Sequence, residues 1–306
     1  MDLKSKIILI YGPTASGKSN FAIKLAKKIR GEIVNADSMQ VYKELKILSA
    51  RPFPKNYKNI KHHLYGFKSV KNNYSTGNWL KDAKLKIDNI KKKNKTPILV
   101  GGKGLYFKAL NDGIVKIPDI PLIFRNTIRK KHSKIGQKKF YLELIKLDPL
   151  CKKKINKNDS QRSIRAYEVK KFTNKSLFDW YSETYSDFNQ DSFIKLHIDY
   201  PREKLIERIS VRTNEMLRDG AIKEAKRFYK LRVKKDLSSN KVIGLSEIKE
   251  YLNKRIDLTE LKEKISIKTR QYAKRQSTWA RGQMSDWQNI KFDRLKSFVK
   301  KFPKSA

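Results

Sequence analysis

The chain of 306 residues has one cysteine, four histidines, few acidic residues and no long apolar segment. The single cysteine, Cys151, excludes an intramolecular disulfide and any cysteine-based zinc site. The histidines, at positions 62, 63, 132 and 197, do not have the spacing of a metal-ligand set. No run of about 18 apolar residues and no signal-peptide pattern occurs, so we expect a soluble protein of the reducing cytoplasm.

The shortage of acidic residues makes the chain strongly basic. There are 30 Asp and Glu residues against 72 Lys and Arg residues, for a formal net charge of +42. Such a surface favours a polyanionic partner, and nucleic acid is the first to consider. The chain is also rich in Lys, Asn and Ile, as a genome-wide compositional bias would make it. Part of the charge can therefore be solvated lysine without a partner.

One motif identifies a phosphate site directly. The sequence GPTASGKS fits the pattern G-x-x-x-x-G-K-[ST], with an apolar run at 7–10 before it and a helical pattern after it. In such a loop the backbone N–H groups and the following helix face an anion, the lysine adds a cation and the last hydroxyl holds Mg²⁺. The residues predicted to bind a diphosphate are Gly12, Pro13, Thr14, Ala15, Ser16, Gly17, Lys18 and Ser19, with Ser19 as the Mg²⁺ ligand. We expect the helix to end at a Gly31 cap.

Further along the chain, β-like runs alternate with helical patterns, and polar or glycine-rich segments follow the runs. The runs 32–36 and 96–100 end in Asp-Ser-Met-Gln and Gly-Gly-Lys-Gly, and a third run spans 193–198. This alternation predicts an α/β fold with a parallel sheet. Ligands of such sheets bind at the carboxyl ends of the strands. The phosphate loop, Asp37 and the 101–104 turn are therefore expected around one pocket.

A later helix carries an arginine on its apolar face. Leu205, Ile209, Arg212 and Met216 follow helical spacing after Pro201. An inward guanidinium needs an anion, which is either a carboxylate in a structural ion pair or a bound phosphate. The sequence leaves both open for Arg212.

Roughly eighty basic, mostly helical residues interrupt the α/β alternation and predict an inserted domain. In the segment 158–169, Asn158 and Gln161 resemble a capping box. Gln161, Arg162 and Arg165 then project from the first two helical turns, as RNA contacts or as ordinary surface residues.

Near the end of the chain, a long helix is predicted from Leu258 to Gln283. Tyr272, Gln276 and Trp279 share one side of it with aliphatic residues. That stripe is expected in the core, although aromatics beside arginines also suit RNA stacking.

Together these motifs resemble the bacterial tRNA dimethylallyltransferase family. The resemblance runs in order through GPTASGKS, ADSMQVYK, HHL, LVGGKGLYFKAL, NDSQRSIRAYEV, RTNEMLRDG and TRQYAKRQSTWARGQ. It implies a P-loop NTPase-like parallel sheet flanked by helices, with a mostly helical inserted domain. Residues 1–114 and 192–306 would form the catalytic core, and 115–191 would grip the tRNA anticodon stem-loop.

The resemblance also implies the reaction and the residues. A dimethylallyl group passes from dimethylallyl diphosphate to the exocyclic N6 amine of the adenine 3′ of the anticodon, in a monomeric enzyme that uses Mg²⁺. Asp37 is the expected general base, or alternatively a Mg²⁺ ligand, while Lys18 and Arg212 stabilise the leaving diphosphate. The expected tRNA contacts are Asp37, Ser38, Met39, Gln40, Lys103, Arg125, Gln161, Arg162, Ser163, Ile164, Arg165, Lys274, Arg275 and Gln276.

Two positions depart from the family pattern. Lysine stands at 103, where the family usually has threonine, and alanine stands at 280 in place of phenylalanine. Lys103 is expected to reach either the diphosphate or the tRNA backbone. Two other functions compete with the prenyltransferase: a small-molecule kinase that uses ATP in the same loop, and a tRNA-binding protein without catalysis.

Overall fold

The central feature of the structure, a computed structural model that describes residue 3 and residues 5–304, is a six-stranded sheet. Every strand pair in it is parallel, in the order β3-β2-β4-β1-β5-β6. This confirms the predicted α/β class. The strands are β1 Ile7–Tyr11, β2 Glu32–Asn35, β3 His62–His63, β4 Pro97–Gly101, β5 Phe193–Asp199 and β6 Gln288–Lys291.

α-Helices make up most of the remaining regular structure, together with four short 3₁₀ helices in the described part of the chain. Within the described residues the α-helices are α1 Lys18–Ile29, α2 Thr76–Lys91, α3 Gly104–Asn111, α4 Leu122–Leu147, α5 Cys151–Lys154, α6 Ser160–Thr173, α7 Leu177–Ser182, α8 Arg202–Arg218, α9 Ala221–Lys230, α10 Leu245–Leu252, α11 Leu258–Gln283 and α12 Leu295–Lys301. The long C-terminal helix has the predicted bounds. None of these helices is both long and apolar enough to cross a membrane.

The chain divides into two compact units. The first comprises residues 1–109 and 188–306, and the second comprises 110–187. The first unit contains the sheet, whose central strand β1 is fully buried because all five of its residues are apolar. The second is helical, and its own core includes Leu144, Cys151 and Val169. Cys151 is a buried core residue of the second unit.

The end of α1 corrects one expectation. The left-handed cap residue is Arg30, with φ 54°, and not Gly31. Gly31 instead donates its N–H to the Ala26 carbonyl. A Cβ at Gly31 would lie 2.9 Å from the Thr96 carbonyl oxygen, so this glycine is required by close packing of the helix end on β4.

The start of α6 corrects another. The N-cap is Asp159, whose side chain accepts a hydrogen bond from the Arg162 N–H, and the predicted capping box of Asn158 and Gln161 is wrong. Asp and Asn are comparable N-cap residues, so adjacent candidates could not be ranked by propensity. The α4 helix is broken at Gly136, where φ is 75°.

Candidate active site

The phosphate loop joins β1 to α1 at the carboxyl edge of the sheet. Gly17 takes a left-handed conformation with φ 82°, and a Cβ at Gly12 would lie 3.0 Å from Ser16 Oγ. Ser16 is 1% exposed, and its hydroxyl has no hydrogen-bond partner among the described residues. A buried hydroxyl without a partner is costly unless something bound supplies one. The loop is therefore built around space for a polar ligand.

Lys18 begins α1 and rests on the loop itself. Its Nζ donates to the Pro13 carbonyl oxygen at 3.1 Å. Burial lowers the pKa of Lys18 to about 8, against an opposing attraction from Asp37 and with a smaller lowering by Arg212. A cation in such a site is poorly solvated and favours a bound anion.

Arg212, on α8, reaches the same loop. Its Nη1 donates to Thr14 Oγ1 at 2.9 Å. Among the residues that the structure describes, no carboxylate lies within 4.0 Å of this guanidinium. Burial lowers the pKa of Arg212, and the charges of Asp37 and Glu215 oppose that shift. The structural ion pair that the sequence left open is therefore not formed, and the guanidinium stays directed at the phosphate loop.

Asp37 follows β2 and is held by its neighbours. The Asn35 side chain accepts the Asp37 N–H at 2.9 Å and donates to the Asp37 carbonyl oxygen at 3.0 Å. Asp37 Oδ1 accepts the Met39 N–H at 2.9 Å, while Oδ2 has no hydrogen bond to any described residue. The Asn35 carbonyl oxygen in turn accepts the indole N–H of Trp79 at 2.8 Å. One carboxylate oxygen is thus fixed and the other is free for a proton.

The electrostatic field of Asp37 links these groups into one site. Burial lowers the pKa of Lys18, Lys103 and Arg212, and in each case the negative charge of Asp37 opposes the shift. Burial also raises the pKa of three tyrosines, and Asp37 adds to that effect at Tyr65, Tyr106 and Tyr272. The charge of Asp37 therefore acts on three cations and three phenols of the first unit.

Lys103 lies in the turn after β4. Its N–H approaches the Ala36 carbonyl oxygen at 3.4 Å, which sets the turn beside the segment that carries Asp37. Its side chain is half-buried, and its ammonium has no hydrogen-bond or ion-pair partner within the described part of the chain. Lys241 contributes a like charge that lowers the pKa of Lys103 further. The ammonium is available to an anion at the site.

A helix from the far end of the sequence braces the pocket. Gln276, on α11, accepts the Thr14 N–H at 2.8 Å and donates to the Gly102 carbonyl oxygen at 2.9 Å. Its own carbonyl oxygen accepts the Tyr11 hydroxyl at 2.9 Å. Gln276 is 4% exposed, and both the oxygen and the nitrogen of its side-chain amide form hydrogen bonds within the protein. The expectation of an RNA contact there is therefore wrong. The apolar spacing of α11 already placed Gln276 on the core side.

Close packing explains the glycines of the 101–104 turn. A Cβ at Gly101 would lie 2.0 Å from the Ala36 carbonyl oxygen, and one at Gly104 would lie 2.1 Å from the indole nitrogen of Trp279. Both distances are far below van der Waals contact. The turn is therefore pressed between the Asp37 segment and α11, which aligns the ends of β2 and β4 with the helix.

The remaining predicted contacts of the first unit differ in accessibility. Ser38 and Met39 are partly exposed beside Asp37, while the Gln40 amide donates to the carbonyl oxygens of Ser49 and Ala50. Lys274 and Arg275 are exposed on α11. Gln40 therefore shapes the segment after β2 through its side chain.

In the helical unit, the predicted contacts also separate into exposed and buried residues. Gln161 and Arg162 are exposed, and Arg125, Ile164 and Arg165 are partly exposed. Ser163 is fully buried, donates its hydroxyl to the Asp159 carbonyl oxygen and accepts from the Gln137 amide. Its predicted RNA contact is therefore wrong, because the side chain on the inner face of α6 closes a hydrogen-bond network.

The geometry agrees with comparisons to known proteins. The model of the IPP transferase family matches residues 40–283. The chain belongs to this family. A tRNA dimethylallyltransferase of Pelagibacter ubique strain HTCC1062 is 61% identical over 306 residues, covering 100% of this chain and 98% of the relative. One of Rickettsia massiliae strain Mtu5 is 42% identical and covers 98% of this chain and 83% of the relative.

Solved structures give the same result. The Bacillus halodurans tRNA isopentenylpyrophosphate transferase has a TM-score of 0.70 at 29% identity, covering 97% of this chain and 95% of its own. A eukaryotic dimethylallyltransferase acting on tRNA has a TM-score of 0.82 at 27% identity, covering 96% and 75%. The resemblance, the fold class and the expectation of a tRNA-modifying prenyltransferase are thereby confirmed.

The side chains of the site fit a weakly chelated hard cation. No cluster of three or more His, Cys, Asp or Glu residues that could hold a metal occurs in the described ranges. Mg²⁺ typically takes one or two protein oxygens together with waters and substrate phosphates. The partly exposed Ser19 hydroxyl and the free Oδ2 of Asp37 are oxygen donors of this kind beside the phosphate loop. The site thus suits a cation brought with a phosphate ligand.

Proposed function

We propose that this member of the IPP transferase family transfers a dimethylallyl group from dimethylallyl diphosphate to the exocyclic N6 amine of the adenine 3′ of the anticodon in tRNA. The observation that carries the proposal is the half-satisfied carboxylate of Asp37 in a common field with Lys18 and Arg212. A proton acceptor and an anion site in one pocket are what amine prenylation by a diphosphate requires.

The leaving group accounts for the cations. As the allylic carbon to oxygen bond breaks, negative charge grows on the diphosphate, and the loop N–H groups, Lys18 and Arg212 stabilise it. Ser19, with Asp37 as the alternative ligand, would hold Mg²⁺, which supplies further charge stabilisation to the diphosphate when bound. Neither Lys18 nor Arg212 must break an internal ion pair to bind the anion, since both rest on neutral oxygens.

The amine accounts for the carboxylate. The adenine N6 lone pair is delocalised into the ring, so attack on the allylic carbon must be accompanied by loss of a proton. Asp37 Oδ2 accepts that proton while Oδ1 stays fixed by the Met39 N–H. The carbon to nitrogen bond forms, the carbon to oxygen bond breaks, and diphosphate leaves.

The RNA contacts are assigned by exposure. In the first unit we assign Ser38, Met39, Lys103, Lys274 and Arg275 to the tRNA, with Lys103 also within reach of an anion at the site. In the helical unit, the exposed and partly exposed residues of α4 and α6 would grip the anticodon stem-loop. The target adenine is unpaired in an anticodon loop, so its extrusion costs little. We further propose that the enzyme acts as a cytoplasmic monomer.

The deciding experiment supplies purified protein with labelled dimethylallyl diphosphate, Mg²⁺ and unmodified tRNA. We expect label in the RNA at the adenine 3′ of the anticodon, with release of diphosphate. A parallel reaction with γ-labelled ATP and no prenyl donor tests the kinase alternative. Transfer of γ-phosphate without RNA prenylation would contradict the proposal, and tight tRNA binding without any transfer would favour the non-catalytic alternative.

A further inference from the structure

A buried carboxylate in the helical unit collects three arginines. Glu168, on α6, is 1% exposed. The Nε atom of Arg125 lies 3.3 Å from its Oε2, the Nε atom of Arg129 lies 3.5 Å from its Oε1, and Nη1 of Arg165 lies 3.7 Å from Oε2. Arg125 and Arg129 are one turn apart on α4, and Arg165 precedes Glu168 by one turn on α6. The packing of α4 on α6 therefore creates the cluster.

The charges of this cluster do not cancel. One carboxylate faces three guanidinium groups, which leaves a net charge of +2. A single arginine would neutralise Glu168, and every further cation adds repulsion without a carboxylate of its own. Binding of an anion would compensate for this excess of positive charge.

The contacts also leave much of each guanidinium unused. Their lengths of 3.3 to 3.7 Å exceed the roughly 2.7 to 2.9 Å of a strong charge-assisted hydrogen bond. Glu168 Oε1 is buried and has no hydrogen bond to any residue that the structure describes. The approach of Arg125 and of Arg129 to Glu168 is through Nε, and their terminal nitrogens have no other hydrogen-bond or ion-pair partner in the described part of the chain. The three side chains are 31%, 44% and 39% exposed and are open to a ligand.

We propose that Arg125, Arg129 and Arg165 form a binding site for one phosphodiester group of the RNA backbone, and that Glu168 is the positioning residue that gathers them. Glu168 does not touch the RNA. This adds Arg129 and Glu168 to the residues on which RNA binding depends. The inference rests on the proposed function, because tRNA is the RNA that brings the phosphate.

One substitution should change the affinity for tRNA in opposite directions, depending on whether Glu168 positions the arginines or acts only through its charge. Glu168→Gln raises the net charge of the protein by one, so electrostatics alone would tighten tRNA binding. If Glu168 gathers the arginines, the same change releases them, and the Kd for unmodified tRNA should rise about tenfold. Glu168→Asp keeps the charge and should recover part of the affinity. The matched control is Glu143→Gln, a partly exposed carboxylate on α4 paired with Lys131, which should not weaken binding.

A second pair of variants tests the arginine that was not expected from the sequence. Arg129→Ala should raise the Kd for tRNA more than Lys130→Ala, which removes an exposed charge from the next position of α4. It should also reduce the slope of log affinity against log salt by about one. The loss of affinity should appear as a higher KM for tRNA, while kcat and the KM for dimethylallyl diphosphate stay unchanged.

Thermal unfolding of each variant accompanies these measurements. A well-folded Glu168→Gln variant that binds tRNA as tightly as the parent, or more tightly, overturns the proposal. Where Glu168→Gln does not fold, the comparison of Arg129→Ala with Lys130→Ala decides. A rise in the Kd for tRNA that is no larger in Arg129→Ala than in Lys130→Ala overturns the proposal. A parent protein that binds tRNA without prenylating it contradicts the proposed function alone, since the binding comparison still applies.

Discussion

The two units of this protein hold their cations in opposite ways. In the first, Lys18 and Arg212 donate to the neutral oxygens of Pro13 and Thr14. In the second, three arginines surround the buried carboxylate of Glu168. A neutral oxygen satisfies a hydrogen bond without cancelling charge, so the cations of the phosphate loop keep their full attraction for an incoming anion. Glu168, by contrast, supplies a permanent counter-ion.

The difference follows from the ligands proposed for each unit. A free diphosphate carries several charges on one small group, and it must bind and leave in every cycle. An internal carboxylate in contact with Lys18 and Arg212 would compete with it. An RNA backbone carries a single charge at each phosphate, so its site gains more from arginines that are already gathered and oriented. The charge of a site alone therefore does not reveal its purpose, and the placement of the counter-ion does.

The largest expected effect concerns Asp37, the one carboxylate whose field acts on all three cations of the phosphate site. Asp37→Asn keeps an oxygen for the Met39 N–H and removes the proton acceptor. We expect the single-turnover rate to fall by about 10² to 10⁴, with little change in tRNA affinity. Asp88→Asn, at an exposed position of α2, is the control. If Asp37 were only a counter-ion, donor binding would tighten and the chemical step would keep its parent rate.

The next effect compares one arginine from each unit. Arg212→Ala should raise the KM for dimethylallyl diphosphate about 10- to 100-fold, the range expected when a hydrogen bond to a charged group is lost. Its tRNA affinity should be unchanged. Arg165→Ala should show the reverse pattern, with weaker tRNA binding and a normal KM for the donor.

Arg218→Ala, an exposed arginine near the end of α8, controls for loss of charge on the same helix. A variant of Arg212 that unfolds without any donor-specific defect would show that its contact with the loop is structural.

The protonation of Lys18 gives a pH-dependent test of the first unit. Burial lowers its pKa from 10.5 to about 8, so a rise in pH above about 8 removes its charge in the free enzyme. If only the charged form binds, the Kd for inorganic diphosphate should rise about thirtyfold from pH 7 to pH 9.5. Between about pH 8 and pH 10.5, Lys18 is protonated in the unfolded chain and mostly neutral in the folded protein. The charge on buried Lys18 therefore lowers the free energy of unfolding by its full amount below pH 8, and this loss is relieved as the pH rises.

Calorimetric titration of diphosphate into the parent and into Lys18→Arg checks this. Arginine stays charged over the whole range, so its profile should be much flatter. Parallel profiles for the two proteins would contradict the role of Lys18 and would assign the dependence to another group.

The smallest effect is expected at Lys103, whose ammonium has no hydrogen-bond or ion-pair partner among the described residues and feels the charge of Asp37. Lys103→Thr removes one cation of three, and we expect turnover to stay within about tenfold of the parent. A hundredfold rise in turnover from a barely detectable level would instead show that Lys103 disables the site by pairing with Asp37. Lys241→Thr provides a control for the neighbouring like charge.

Much of the fold and the centre of the site could be predicted because local patterns specify them. The phosphate loop is a contiguous motif, and the bounds of α11 follow from continuous helical spacing. Predictions that depended on one residue's surroundings were less reliable. Gln276 and Ser163 have side chains typical of RNA contacts, yet both are buried in internal hydrogen bonds. Each of them has a partner more than twenty residues away in the chain, Thr14 for Gln276 and Gln137 for Ser163, which no local spacing contains.

By itself, the sequence determined the parallel α/β order, the phosphate loop and the family, since each depends on residues adjacent in the chain or on motifs in a fixed order. Only the tertiary structure decided that Arg212 contacts Thr14 and no described carboxylate, that Gln276 joins α11 to the loop, and that Glu168 lies among three arginines. The physical reason is that a charge or an amide acquires its function from the groups within a few ångströms of it. Those neighbours are set by how distant segments pack.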